Sequence, residues 1–272
     1  MDEAKIARFQ KEGRGKGHGA DYKPWLTIQD VPSSGRSSRP FSFKTGRHHH
    51  LLSDMETGVF YLFQWSDDVI DIREQFPLDR NVTREIAKEM GVAHPIESST
   101  RTEIVMTTDF LIDVRDGNAT RLVARSVKPM QELSKERTLE KQEIDRRYWE
   151  LQGVDWGILT ENEIPKQRVE NLRWLHEMQT LKKQTESYPS YWQDKCECFL
   201  ALLPDAKHKT IKEFLCWLEG SQNFVVGDAL KVLRHLAATK KILLDIDVEF
   251  STSAHISALS LNQFKSSVKK VA

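Results

Sequence analysis

The chain has 272 residues, enough for one large domain or two ordinary ones. Hydrophobic residues make up 39%, charged residues 29%, and mean hydropathy is -0.53, the composition of a soluble globular protein with a sizeable core. Formal net charge is +0, which excludes a chain-wide field for nucleic acid and leaves only local patches to bind it. Cys196, Cys198 and Cys216 form no paired CxxC spacing, so free thiols in a reduced, cytoplasmic compartment are expected. The N-terminus lacks an apolar signal core, and no apolar run reaches membrane-spanning length, so no membrane partner is expected.

Residues 1–10 suit a short helix. The run GRGKGHG follows, alternating glycine with basic side chains that include Arg14 and Lys16. Glycine lets a backbone lie close to phosphates, and the cations supply charge; a flexible basic loop fits the same residues. Residues 31–53 hold no carboxylate but contain Arg36, Arg39, Lys44, Arg47 and three successive histidines. A one-signed segment of this kind suits an arm on a DNA backbone, and equally a solvated loop. Adjacent histidines cannot all face one ion on a regular element, which argues against a metal site there.

Ser53 and Glu56 have the S-x-x-E spacing of a capping box, opening a helix to about Trp65 with Met55, Val59, Leu62 and Phe63 inward. Glu56 therefore reads either as a cap or as a metal ligand. A strand is expected over 68–76, stopped by Pro77, and a short helix over 81–90, stopped by Gly91. Residues 106–128 read as two strands joined at Asp116-Gly117. If the chain reverses near Asn118, Asp109 falls roughly opposite Ser126 to Lys128. A carboxylate, a lysine and backbone carbonyls would then converge, as metal-assisted phosphodiester hydrolysis requires. The layout resembles the D…(D/E)xK core of restriction-endonuclease-like nucleases. Ser134 can cap a long charged helix to about Leu151, with Leu139, Ile144, Tyr148 and Leu151 as its apolar positions. Residues 154–160 form a short buried strand, which gives an α/β, mixed-sheet core.

The texture changes near Pro165. The expected domains are a catalytic unit with an N-terminal basic arm over 1–165 and a winged-helix-like unit over 166–272. In the second, helices are followed by strands over 241–250 and 255–261. Lys231, Arg234 and His235 could face DNA, but Asp245, Asp247 and Glu249 would repel it. A module that docks a protein partner is therefore the stronger expectation.

The runs GRGKGHG, DYKPWLTIQDVPSSGRS, HHLLSD, DIREQFPL, TTDFLIDV, VKP and ERTLEKQEIDRRYW are similar to the TnsA family, endonuclease subunits of heteromeric cut-and-paste bacterial transposases. The likeness is near-continuous over roughly the first 160 residues and thinner afterwards. It implies a restriction-endonuclease-like domain with a Mg2+ site, for which Mn2+ could substitute. Glu56 and Asp109 would be the acidic ligands and Lys128 the catalytic lysine. It also implies cleavage of the 5′ ends of a transposon, beside a TnsB-type strand transferase and a TnsC-type ATPase regulator. The family pattern often places Gln or an acid where this chain has Ser126, a poorer ligand; ligation would then fall to the Val127 carbonyl, to water, or to a carboxylate of the following helix, for which Asp145 is the candidate. The rival readings are a stand-alone restriction or repair nuclease and a non-catalytic assembly module.

Overall fold

The computed structural model describes residues 1–31 and 36–262. The chain divides between Ile164 and Pro165 into two compact units, one residue before the expected boundary. In the first unit, helix α1 (Glu3–Lys11) is capped by Asp2, whose side chain accepts from the Lys5 amide. Its buried Ile6 and Phe9 meet Trp25 and Val105 in a small satellite core. Helix α2 (Asp54–Trp65) has Ser53 as its N-cap, whose side chain accepts from the Glu56 amide. Strand β1 (Val69–Pro77) follows, then helix α3 (Arg80–Glu89), which Asp79 caps through the Asn81 and Val82 amides.

Strands β2 (Thr107–Asp116) and β3 (Ala119–Val127) form the expected hairpin. Asp116 pairs with Ala119, leaving Gly117 and Asn118 as the loop. Gly117 has φ +60° at the first central position, where such hairpins need a residue tolerant of positive φ. Helix α4 (Glu136–Leu151) leads to strand β4 (Asp155–Leu159). The sheet order is β1-β2-β3-β4. Two pairings are antiparallel, and β3 runs parallel to β4. This is a mixed sheet in an α/β unit.

Alternation along β2 sends Leu111 and Phe110 to opposite faces. Leu111 packs with Ile86, Ile144 and Trp149 from α3 and α4. Phe110 meets Phe63 of α2 edge-on at 5.5 Å. Of the stripe expected on α2, only Val59 is fully buried; Thr57, Gly58 and Phe60 are buried beside it. The N-terminal segment covers that helix as well, through a 2.6 Å Ser38–Thr57 hydroxyl contact and a 2.7 Å bond from Ser42 to Gln64. Helix α4 is corrected similarly. Leu139 and Leu151 are exposed, and Gln142, Ile144, Asp145 and Trp149 face inward. Ser134 does not cap it but lies in a 3-10 turn over Met130–Ser134, where its hydroxyl donates to Gln131.

Strand β1 lies at one end of the sheet, so its outer carbonyls need partners. Lys44 Nζ donates to Val69, an Arg47 nitrogen to Ile72, the Tyr22 hydroxyl to Glu74 and the Trp25 amide to Gln75. Part of the basic segment is thereby committed to closing the sheet edge.

The second unit has its own core. Helices α5 (Lys166–His176), α6 (Tyr191–Leu202), α7 (Ile211–Ser221) and α8 (Asp228–Ala238) bury Phe199, Phe214, Leu218, Val232 and Leu236 among other residues. A capping box between Thr210 and Glu213 starts α7. The expected wing shrinks to strands β5 (Ile242–Leu243) and β6 (Ser260–Leu261), paired antiparallel. The intervening chain is tied to α5: Asp247 takes two bonds from Arg168, and Asn171 donates to the Ile246 and Val248 carbonyls. Those contacts replace a strand ladder, so the long wing strands do not form. On α8, Arg234 bonds the Trp174 carbonyl and Glu177, His235 Nδ1 lies 2.9 Å from the Met178 carbonyl, and Lys231 pairs with Asp228. Among the described residues, no helix is long and apolar enough to cross a membrane.

Candidate metal centre

The hairpin register pairs Phe110 with Arg125, which brings Asp109 level with Ser126. Asp109 is 8% exposed. Its Oδ2 accepts the Val127 amide at 2.7 Å and the Lys128 ammonium at 2.6 Å. The same ammonium donates to the Val127 carbonyl at 3.0 Å. Burial alone would lower the Lys128 pKa; the Asp109 carboxylate outweighs it and the net shift is upward.

Glu56 reaches the cluster from the first turn of α2 and is 6% exposed. Its Oε1 accepts the Ser53 hydroxyl at 2.9 Å, and its Oε2 accepts the Leu52 amide at 3.0 Å. The amide that it caps is thus that of Leu52, not Ser53. Gln75 Nε2 lies 3.3 Å from the same Oε2. Burial, and then the nearby Asp109 charge, push the Glu56 carboxyl up to about 7. The cap and the cluster use one side chain, because a carboxylate has several acceptor positions.

Ser126 and Asp145 form an adjoining polar cluster. Asp145 Oδ1 accepts Thr108 Oγ1 at 2.6 Å and Trp149 Nε1 at 3.1 Å; its Oδ2 accepts Ser126 Oγ at 2.7 Å. Burial is the main cause of its raised pKa. Both its oxygens are engaged, and the Ser126 hydroxyl is turned to Asp145. Thr108 and Trp149, which anchor this cluster, carry no signal in the sequence, where the stripe expected on α4 runs through Leu139, Ile144, Tyr148 and Leu151.

The donors suit a hard divalent cation: two carboxylates and a backbone carbonyl, all oxygen. The Lys128 ammonium already bonds both Asp109 Oδ2 and the Val127 carbonyl, so a positive charge is accommodated between two of these donors. Glu56, Asp109, Val127 and Lys128, named from sequence, are thus brought together.

The basic residues divide. Arg14 pairs with Asp30 at 2.6 Å, donates to the Trp25 carbonyl and lies 3.5 Å from the Phe9 ring centroid. Arg47 makes a two-pronged bond to the fully buried Glu74. Burial would raise the Glu74 carboxyl, but His49 and Arg47 hold it far below the usual carboxylate range. Arg14, Lys44 and Arg47 are therefore built into the fold. Lys16, Arg36 and Arg39 stay exposed, with Arg36 paired to Asp54. Of the three histidines, His49 is buried with Nδ1 2.8 Å from Glu74, so they do not share one ion. A separate trio, His18, Asp71 and Asp113, has ligand atoms within 4.8 Å of one another. Arg73 pairs with both of those carboxylates, and Gly19 N donates to Asp71 at 3.1 Å, so this trio fastens the glycine loop to the sheet.

A four-stranded mixed sheet whose central hairpin carries Asp109 and Lys128, with Glu56 brought beside them from α2, defines the class: an α/β protein with two carboxylates and a lysine gathered at the end of its sheet. Residues 66–161 match the family model described as TnsA-like endonuclease N terminal, and residues 163–246 match TnsA endonuclease C terminal. Transposon Tn7 transposition protein TnsA of Escherichia coli is 52% identical over 180 residues, covering 66% of this chain and 65% of that protein. The chain is a TnsA-like protein, with the family's N-terminal and C-terminal parts in that order. The alignment spans slightly less than two thirds of the relative's length. Asp109, Ser126, Lys128 and Asp145 lie inside the N-terminal family match, which begins ten residues after Glu56.

Proposed function

We propose that this chain is a Mg2+-dependent DNA endonuclease with a restriction-endonuclease-like catalytic unit. It would hydrolyse the 5′ ends of a transposon as one subunit of a transposase, beside a TnsB-type strand transferase and a TnsC-type ATPase regulator. One observation carries the reading: Asp109 gathers the Val127 amide and the Lys128 ammonium at one oxygen, with Glu56 buried beside it.

Glu56, Asp109 and the Val127 carbonyl would hold the cation, with Mn2+ a substitute for Mg2+. Once bound, a divalent ion supplies Lewis-acid polarisation of the phosphate and a lowered pKa for the attacking water. Lys128 is held by Asp109 and the Val127 carbonyl. From there the ammonium would act on the attacking water or the scissile phosphate. It then offsets charge that grows in the transition state. Asp109 fixes the end of β3 through the Val127 amide and so sets where that carbonyl points. Glu56 is aimed by Ser53 and Leu52. The exposed Lys16, Arg36 and Arg39 would hold the DNA backbone, which positions the strand without reading its sequence.

The experiment is strand-resolved cleavage of DNA bearing transposon ends, in Mg2+ and in EDTA, with and without the two partners. The expected result is 5′-strand cleavage in Mg2+ only with the partners present, and its loss in Asp109→Ala and Glu56→Ala. Efficient cutting by the chain alone would favour a stand-alone nuclease. Undiminished cleavage by Asp109→Ala would end the assignment.

A further inference from the structure

Gln75 has a backbone unlike that of its strand. It lies between the pairs Glu74↔Phe110 and Phe76↔Thr108, level with Asp109 on β2. Its φ is +49°, where a strand residue is strongly negative. Side chains other than Gly, Asn and Asp rarely adopt this region, and such outliers gather at functional sites. The residue is 2% exposed, and each polar end of its side chain has a partner. Nε2 lies 3.3 Å from Glu56 Oε2. Oε1 accepts the Thr107 hydroxyl at 3.1 Å. Its carbonyl is turned out of the sheet to accept the Trp25 amide at 3.1 Å. Thr107 thus orients the amide, and the amide presents its N–H groups to the Glu56 carboxylate. The unusual backbone delivers that side chain to α2 from a strand position facing Asp109.

We infer that Gln75 is a positioning residue: clamped by Thr107, it fixes the Glu56 carboxylate in the orientation that holds the divalent cation. This rests on the metal-dependent reading above and adds a residue to it. With Leu52 and Gln75 both donating to Oε2, and Ser53 to Oε1, the carboxylate plane is held from three sides. One acceptor position is then left, on Oε1, for the cation. Partners one step behind a metal ligand typically change metal affinity by roughly ten- to a hundredfold when removed.

The test is Mn2+ binding by the full chain, followed by electron paramagnetic resonance, without DNA. Gln75→Met keeps the length and removes both polar ends. It should weaken Mn2+ binding at least roughly tenfold and change the spectrum of the bound ion. In a Glu56→Gln background the same substitution should add nothing further, because Gln75 acts through Glu56. Thr107→Val leaves Gln75 in place but releases its amide; it should weaken binding in the same direction and by less, and it decides the matter if Gln75→Met does not fold. Wild-type affinity and spectrum in folded Gln75→Met, or in Thr107→Val, would overturn the inference while leaving the metal centre standing. Equal losses from Gln75→Met with and without Glu56 would overturn it as well. A wild-type chain that bound no Mn2+ would remove the metal reading and this inference together.

Discussion

Glu56 caps the chain before α2 and borders the Asp109–Lys128 cluster with one carboxylate, and its titration reports that crowding. An unfolded glutamate titrates near 4.5, whereas the folded one is pushed up to about 7 by burial and then by Asp109. Between those values the folded state binds more protons than the unfolded state, so this group's contribution falls as pH rises through the window. In metal-free buffer, Glu56→Gln should flatten the pH dependence of stability above about pH 5. It should gain on the order of 3 kcal/mol relative to wild type at pH 8. Urea denaturation at several pH values in EDTA checks it, and an unchanged difference between the two proteins would show that Glu56 is not strained in this way. Ser126 differs, because its hydroxyl is spent on the buried Asp145 rather than on the cluster. Ser126→Ala should therefore cost about 1–3 kcal/mol of stability but less than roughly tenfold in cleavage rate. A loss of rate as deep as that of Asp109→Ala would make the hydroxyl a ligand. Asp109 and Lys128 were legible from alternation and hairpin register alone. Glu56 was ambiguous because its spacing from Ser53 satisfies a cap equally well; Ser53 does cap α2, while the Glu56 carboxylate takes the Leu52 amide instead of that of Ser53.

Among the elements, the N-terminal segment departs most from its sequence reading. A run without carboxylates looks like a free basic arm, but the partners of Arg47 and Lys44 lie on β1, more than twenty residues away. Local charge patterning cannot reveal such long-range pairing, nor that β1 would need its edge covered. Arg47→Ala leaves Glu74 buried without its two-pronged guanidinium partner, with His49 still beside it, so it should destabilise the protein by about 3–5 kcal/mol. Arg39→Ala should leave stability within about 0.5 kcal/mol. Thermal or urea unfolding of the pair checks this; equal stabilities would return Arg47 to the surface. The glycine run is also more than a flexible loop. Gly15 has φ +78°, and a Cβ there would fall 2.2 Å from Pro77 Cγ. Gly15→Ala should cost more than about 1 kcal/mol, read by the same unfolding experiment.

At the scale of the whole molecule, the two units have separate cores, and the family matches, over 66–161 and 163–246, meet just before the junction between those units. A fragment from Lys166 to Ala272 should fold alone and show no nuclease activity; circular dichroism and a cleavage assay on both fragments test this, and an unfolded C-terminal fragment would contradict it. The break at Pro165 was readable because composition and element order change there. The wing was not, because side-chain ties from Arg168 and Asn171 hold that chain in place of a ladder. The central claim is that Glu56, Asp109 and the Val127 carbonyl hold one divalent ion. Anomalous diffraction at the manganese edge, from crystals grown with Mn2+, tests it most directly. The account predicts a peak within bonding distance of all three groups, with Lys128 displaced from Asp109. No peak there, or a peak only among His18, Asp71 and Asp113, would contradict it.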